Sequence, residues 1–357
     1  MPESVAENPL APETASRLPD LARLPKAHLH LHFTGSLDLP TLAELAVAAD
    51  DTVATGLIAE AALAVPATTK GWFRFQRTYD LARRVVRTEA AMRKVVRRAA
   101  ENDADEGVRR LELQIDPTSY APHVGGIIGA LEIVLDEAKL ATRATGVQVG
   151  IIVAASRIRH PMEARTLARL AAKYAGTGAG EVCGFGLSND EWAGSTPEWE
   201  GAFRIARNAG LPGVPHGGEL RGADHVRQVV AALHPSRIGH GIRATEDPRL
   251  LDELVTAGVS FEVCPVSNVQ LGIYPNLSAV PLRALVEAGA SIALGADDPL
   301  LFHARLLAQY QAAQDHLGFT AAGLAELAAS SIRSSFASNA DKQLWLREVY
   351  EWCAPST

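Results

Sequence analysis

Cysteine is scarce: the 357-residue chain has three, Cys183, Cys264 and Cys353, odd in number, far apart and in no C-x-x-C pair. That argues against a disulfide framework and a zinc knuckle. Basic charge is outweighed, with 34 Lys and Arg against 41 Asp and Glu, a net charge of -7 that leaves no cationic footprint for a phosphate backbone. A nucleic acid polymer is therefore not an expected partner. No run approaches the ~20 apolar residues of a membrane span; Ile127 to Leu140, for instance, is interrupted by Glu132, Asp136, Glu137 and Lys139. A membrane is not an expected partner either. The first residues carry Glu3, Glu7 and Glu13 among several prolines, where a secretory signal would need positive charge and an apolar core. Residues 1–22 read as a disordered tail on a cytoplasmic protein, with homo-oligomerisation left open.

What is present is apolar and periodic. Hydrophobic residues make up 47% of the chain, enough to bury a large core within one domain over residues 23–357. Eight short β-like runs alternate with helical stretches: Ala27 to His32, Arg110 to Ile115, Val149 to Ala154, Val182 to Leu187, Gly213 to His216, Arg237 to His240, Ser260 to Cys264 and Ser291 to Gly295. Amphipathic segments such as Pro161 to Tyr174 and Asp247 to Ala257 lie between them. The pattern predicts an α/β fold, a (β/α)8 TIM barrel. Its first connection is too long for one crossover helix, which predicts a helical insert at about 35–107, with Trp72, Phe73, Phe75 and Tyr79 on a helix capping the mouth. Two or three further helices are expected over Pro299 to Leu346.

Chemistry gathers at the predicted strand ends. In His28-Leu29-His30-Leu31-His32, alternation points the three imidazoles to one face. Residues two apart on a strand lie ~6.5 Å from each other, so His30 and His32 can share one ion, and His28 takes a structural role. The fifth run ends at His216 with Glu219 just beyond, the sixth at His240, and Asp297-Asp298-Pro299 follows the eighth. His30, His32, His216 and Asp297 form a nitrogen and oxygen set suited to one Zn²⁺ or another divalent ion. Glu219, His240 and Asp298 are left as acid-base groups.

These residues resemble the adenosine deaminase family of the amidohydrolase superfamily. The resemblance rests on Pro25-Lys26-Ala27-His28-Leu29-His30-Leu31-His32, His216-Gly217-Gly218-Glu219, Gly239-His240-Gly241, Glu262-Val263-Cys264-Pro265 with Ser267-Asn268, and Asp297-Asp298-Pro299. It implies zinc on His30, His32, His216 and Asp297 and hydrolytic deamination at C6 of a small-molecule aminopurine nucleoside. Glu219 would protonate purine N1, Asp298 would meet N7, and His240 would orient the nucleophile.

Departures from the family pattern bear on the substrate. Phe33-Thr34-Gly35 stands where adenosine-cleaving relatives carry an acid for the ribose 5′-hydroxyl. Gly186-Leu187-Ser188-Asn189-Asp190-Glu191 has Asn189 where the family has a glycine amide near N3. Trp72, Arg74 and Arg77 offer aromatic and guanidinium chemistry for an aryl carboxylate. The combination resembles actinobacterial aminodeoxyfutalosine deaminases, and implies conversion of 6-amino-6-deoxyfutalosine to futalosine and ammonia in a menaquinone route, with Phe33, Thr34, Trp72, Arg74, Arg77, Gly186 and Asn189 binding substrate. Adenosine or adenine deamination is the alternative, and a non-catalytic purine-binding relative a remoter one.

Overall fold

The computed structural model describes residues 20–59 and 71–354. Eight strands, β1 (Lys26–His32), β2 (Val108–Ile115), β3 (Gln148–Ser156), β4 (Val182–Ser188), β5 (Gly213–Gly217), β6 (Arg237–His240), β7 (Ser260–Val263) and β8 (Ile292–Leu294), pair in chain order and in parallel. The ring closes just beyond β8, where His32 N–H donates to the Asp297 carbonyl and Asp297 N–H to the His30 carbonyl, both at 3.0 Å. The chain forms the expected (β/α)8 barrel. Strands covered on both faces are apolar on the outside, as in Leu111, Leu113 and Ile115 of β2, while Arg110, Glu112 and Gln114 alternate into the interior. That polar alternation builds the floor of the site.

One expectation about β1 fails. His28 does not share a face with His30, because the β1–β2 register shifts between His28 and Leu31. His28 Nδ1 instead meets Asp103 at 2.9 Å, and its Nε2 accepts from Ala296 N–H at 3.1 Å. Its role is structural.

The long first connection holds α1 (Leu39–Ala48), α2 (Thr52–Ala59), α3 (Gly71–Arg83) and α4 (Glu89–Asp105). α1 starts where the Asp38 carboxylate accepts from Thr41 N–H, and α4 where the Thr88 hydroxyl accepts from Ala91 N–H. α4 buries Met92, Val95, Val96, Ala99 and Ala100, an i, i+3, i+4, i+7, i+8 stripe. After β8 come Pro299–Phe302, Leu306–Leu317, Ala321–Ser334 and Asn339–Cys353, four helices where two or three were expected. Residues 1–19 of the expected tail lie outside the described residues. Its last part is ordered: Leu21–Arg23 forms a 3-10 turn capped by Asp20. No helix among the described residues is long and apolar enough to cross a membrane.

Candidate active site

The C-terminal ends of β1, β5 and β6 and the turn after β8 bring seven side chains to one point. Ligating atoms of His30, His32 and His216 lie within 4.8 Å of one another, as do those of His30, His240 and Asp297, and those of His216, Glu219 and His240. Asp297 Oδ1 stands 3.4 Å from His30 Nε2 and 3.2 Å from His32 Nε2. Glu219 Oε2 is 3.5 Å from His240 Nε2. His240 and Asp297 hold φ of 62°, a left-handed backbone that side chains adopt only under constraint. The barrel supplies that constraint through the hydrogen bonds that close it at Asp297.

Burial and carboxylate crowding sort the acids. Burial disfavours charge on Asp297, yet the close approach of the His30 and His32 imidazoles holds it well below the usual carboxylate range. The neighbouring acids go the other way: burial and the Asp297 charge push Glu219 and Asp298 well above it. Asp297 is thus held in its charged form, while burial favours the protonated form of the two acids beside it. Burial lowers His240 to about 4, and burial with the charges of His30 and His240 holds His216 well below its ordinary value. Both imidazoles are neutral. Burial also disfavours charge on His30, but Asp297 and Glu262 overcome it and lift this group to about 10, a measure of the negative potential around the ring.

That potential surrounds donor atoms with nothing to bond. His30 Nε2 and His216 Nε2 are buried without a hydrogen-bond partner among the described residues. Unpaired imidazole nitrogens facing an ionised carboxylate make a donor set that fits a divalent cation. Second contacts hold the set: Ser267 Oγ donates to Asp297 Oδ2 at 2.6 Å, and His30 Nδ1 meets Glu262 Oε2 at 2.7 Å. The loop carrying Glu219 is gripped by buried Glu191, whose carboxylate accepts from the backbone N–H groups of Glu219, Leu220 and Arg221 at 3.1, 2.9 and 2.7 Å.

A cleft opens outward from this cluster. His32, His216, Glu219, Asp297 and Asp298 lie in its wall, and so do Phe33, Trp72 and Asn189. The structure corrects four substrate-binding assignments. Arg74 and Arg77 are exposed on the outer side of α3 and do not line the cleft. Thr34 is buried with its hydroxyl 2.6 Å from that of Tyr120, and it is the Tyr120 ring that lines the cleft. Gly186 sits against the Ala154 side chain and the Val214 carbonyl inside the barrel, and Ser188 and Asn189 take the place expected of it.

α3 caps the mouth with three of the four aromatics expected there: Trp72, Phe75 and Tyr79 line the cleft together with Gln76 and Arg83, at i, i+3, i+7, i+4 and i+11, whereas Phe73 is exposed and does not. Gln114 and Asp116, continuing the inward alternation of β2, line it too. Helical and strand periodicity were the available signals for both groups.

The adenosine deaminase family model matches residues 25–352, and so spans β1 through the last helix. The chain belongs to the adenosine deaminase family. A Streptomyces coelicolor protein bearing the provisional name adenosine/adenine deaminase is 52% identical over 341 residues, 94% of this chain and 98% of its own. A Rhizobium leguminosarum protein named adenine deaminase is 34% identical, over 73% of this chain and 80% of its own. Among solved structures, an Arthrobacter aurescens adenine deaminase superposes with a TM-score of 0.84 at 29% identity, covering 92% of this chain and 99% of its own. This member of the family is accordingly a metal-dependent deaminase of small purine substrates.

Proposed function

We propose that this deaminase hydrolyses the C6 amino group of adenosine or adenine, with one zinc ion held by His30, His32, His216 and Asp297. The observation that carries the reading is geometric: His30, His32, His216 and Asp297 converge on one point, the Nε2 atoms of His30 and His216 are buried without a partner among the described residues, and Glu219 and Asp298 stand beside them in the wall of the cleft. When bound, the ion supplies the acidity that makes water a nucleophile at neutral pH. The side chains do the rest. Glu219 donates its proton to purine N1, which drains electrons from C6 and lets water add there. Asp298 donates a hydrogen bond to N7. Neutral His240 accepts a proton from the water that adds and orients it toward C6. His240 then passes the proton it took to the C6 amino group, the C–N bond breaks and ammonia leaves, and Glu219 regains a proton from the new C6 hydroxyl, so a 6-oxopurine remains.

Asn189 replaces the family's glycine without losing its conformation. Its φ is 77°, a left-handed backbone that Asn tolerates, and its own Oδ1 accepts from Asp190 N–H at 2.8 Å. In this reading its backbone N–H meets purine N3. Asn189→Gly is expected to keep kcat/KM near wild type, whereas β-branched Asn189→Val adds about 1–3 kcal/mol of strain and lowers kcat/KM about tenfold or more. Equal activity of the two variants would remove the backbone contact.

A second reading, 6-amino-6-deoxyfutalosine, is favoured by one observation: Arg83 brings a guanidinium into the cleft wall, and no acid stands at Thr34. Arg83 is already engaged, bonding Asp80 and donating to Ser119 Oγ at 2.9 Å, so the unmodified purines come first. Ultraviolet assays of the zinc-loaded protein with adenosine, adenine, 5′-methylthioadenosine and 6-amino-6-deoxyfutalosine compare kcat/KM directly. Adenosine or adenine is expected to lead. A lead for the carboxyphenyl nucleoside, lost on Arg83→Ala, would move the assignment to the second reading and to menaquinone synthesis.

A further inference from the structure

Beneath the imidazoles lies a buried ion chain. Arg237 of β6 is 1% exposed, and each of its three guanidinium nitrogens is committed: Nε donates to Glu262 Oε1 and Nη2 to Glu112 Oε2, both at 2.6 Å, and Nη1 to the Ser334 carbonyl at 2.9 Å. The guanidinium also packs over the Phe336 ring, 3.7 Å from its centroid. It cannot turn without breaking all of these. Glu262, from β7, is thereby fixed by one oxygen, and its other oxygen meets His30 Nδ1 at 2.7 Å.

The geometry points to Arg237 as a positioning residue that sets the tautomer of His30 through Glu262. A carboxylate only accepts, so the Nδ1 it faces must carry a hydrogen, and in the neutral ring that a metal requires the lone pair is left on Nε2, the atom turned toward Asp297 and His32. Arg237 occupies Oε1 and keeps Oε2 aimed at the ring. This inference rests on His30 being a metal ligand, as proposed above.

Glu262→Gln tests it by making the acceptor two-faced. Arg237 Nε–H demands the amide oxygen, so the amide NH₂ is turned toward His30 Nδ1. That nitrogen must then accept, and the hydrogen moves to Nε2, where it blocks coordination. Zinc affinity of the full-length protein, measured by competition with a chelating dye, is expected to fall about 10- to 100-fold. The decisive variant adds Arg237→Met. With the guanidinium gone, the amide can turn its oxygen to Nδ1, and zinc affinity is expected to return most of the way to wild type. A purely structural role for Arg237 predicts the opposite sign, with the double variant binding zinc more weakly still. If thermal melting shows the double variant unfolded because Glu112 keeps only Arg110 and the Phe336 N–H as partners, both on Oε1, Glu112→Gln is added and the same recovery is expected. Wild-type affinity in Glu262→Gln, or no recovery on removing Arg237, overturns the inference. His30→Ala keeps the two readings apart: if it binds zinc as wild type does, the ligand assignment falls rather than the role of Arg237.

Discussion

Glu219→Gln is expected to lower kcat about 10³-fold while zinc content stays at the wild-type level. The substitution keeps the volume and the hydrogen-bonding reach of the side chain but has no proton to release to N1. The proposed metal set is untouched, since Glu219 is not among His30, His32, His216 and Asp297. Stability should move the other way. Burial, then the charges of Asp297 and Glu191, raise the folded-state pKa of Glu219 well above its ordinary 4.5. The folded protein therefore binds a proton that the unfolded chain releases above that value, and stability falls as pH rises from 4.5 through the folded pKa. Gln carries no such dependence. At neutral and mildly alkaline pH the variant should melt at or above the wild-type temperature, with a flatter profile of melting temperature against pH. Metal analysis, single-turnover kinetics and melting curves across pH check the three parts. Turnover near wild type would remove Glu219 from proton transfer; loss of zinc would make it a ligand instead.

The legibility of the barrel and the illegibility of parts of its pocket have a common cause, the range of the interactions involved. β6 runs from Arg237 to His240, the bounds read from sequence, because its length and edges are set by local turn chemistry. The metal-set histidines and acids stood out for the same reason: polar groups at the end of an apolar strand violate the local pattern. His28 obeyed that pattern and was misplaced. The register shift that turns it toward Asp103 depends on how β1 meets β2, which starts 82 residues after β1 does. α3 shows the limit most clearly. Its sequence offers two faces, one with Arg74 and Arg77 and one with Trp72, Gln76, Tyr79 and Arg83, and only docking of the insert on the barrel decides which faces substrate. Thr34 was likewise unreadable, because Tyr120, which claims its hydroxyl, is 86 residues away.

Gly35→Ala is expected to cost about 100-fold in kcat/KM, the scale of an ångström-sized misplacement of a reacting group. A Cβ at position 35 would stand 1.7 Å from Asp298 Oδ1, 2.6 Å from its Cγ and 2.8 Å from its Cβ. Asp298 has little room to give way. Its carbonyl accepts from the N–H groups of Leu301 and Phe302, and Pro299 follows it. Gly35 belongs to the turn Thr34–Ser36, tied down by Ser36 Oγ donating to the Phe33 carbonyl at 2.8 Å. The clash therefore falls on the Asp298 carboxyl, which is turned out of the position from which, in the proposed reading, it meets N7. Asp297 is held separately by Ser267 and by β1, so zinc content should not change. Pairing Gly35→Ala with Asp298→Ala separates this account from general damage. If the glycine exists to leave room for that carboxyl, the double variant is no slower than Asp298→Ala alone, because the group that the new methyl strikes has gone. A double variant slower by the full 100-fold would show that Gly35 serves the turn itself and not the carboxyl lying against it.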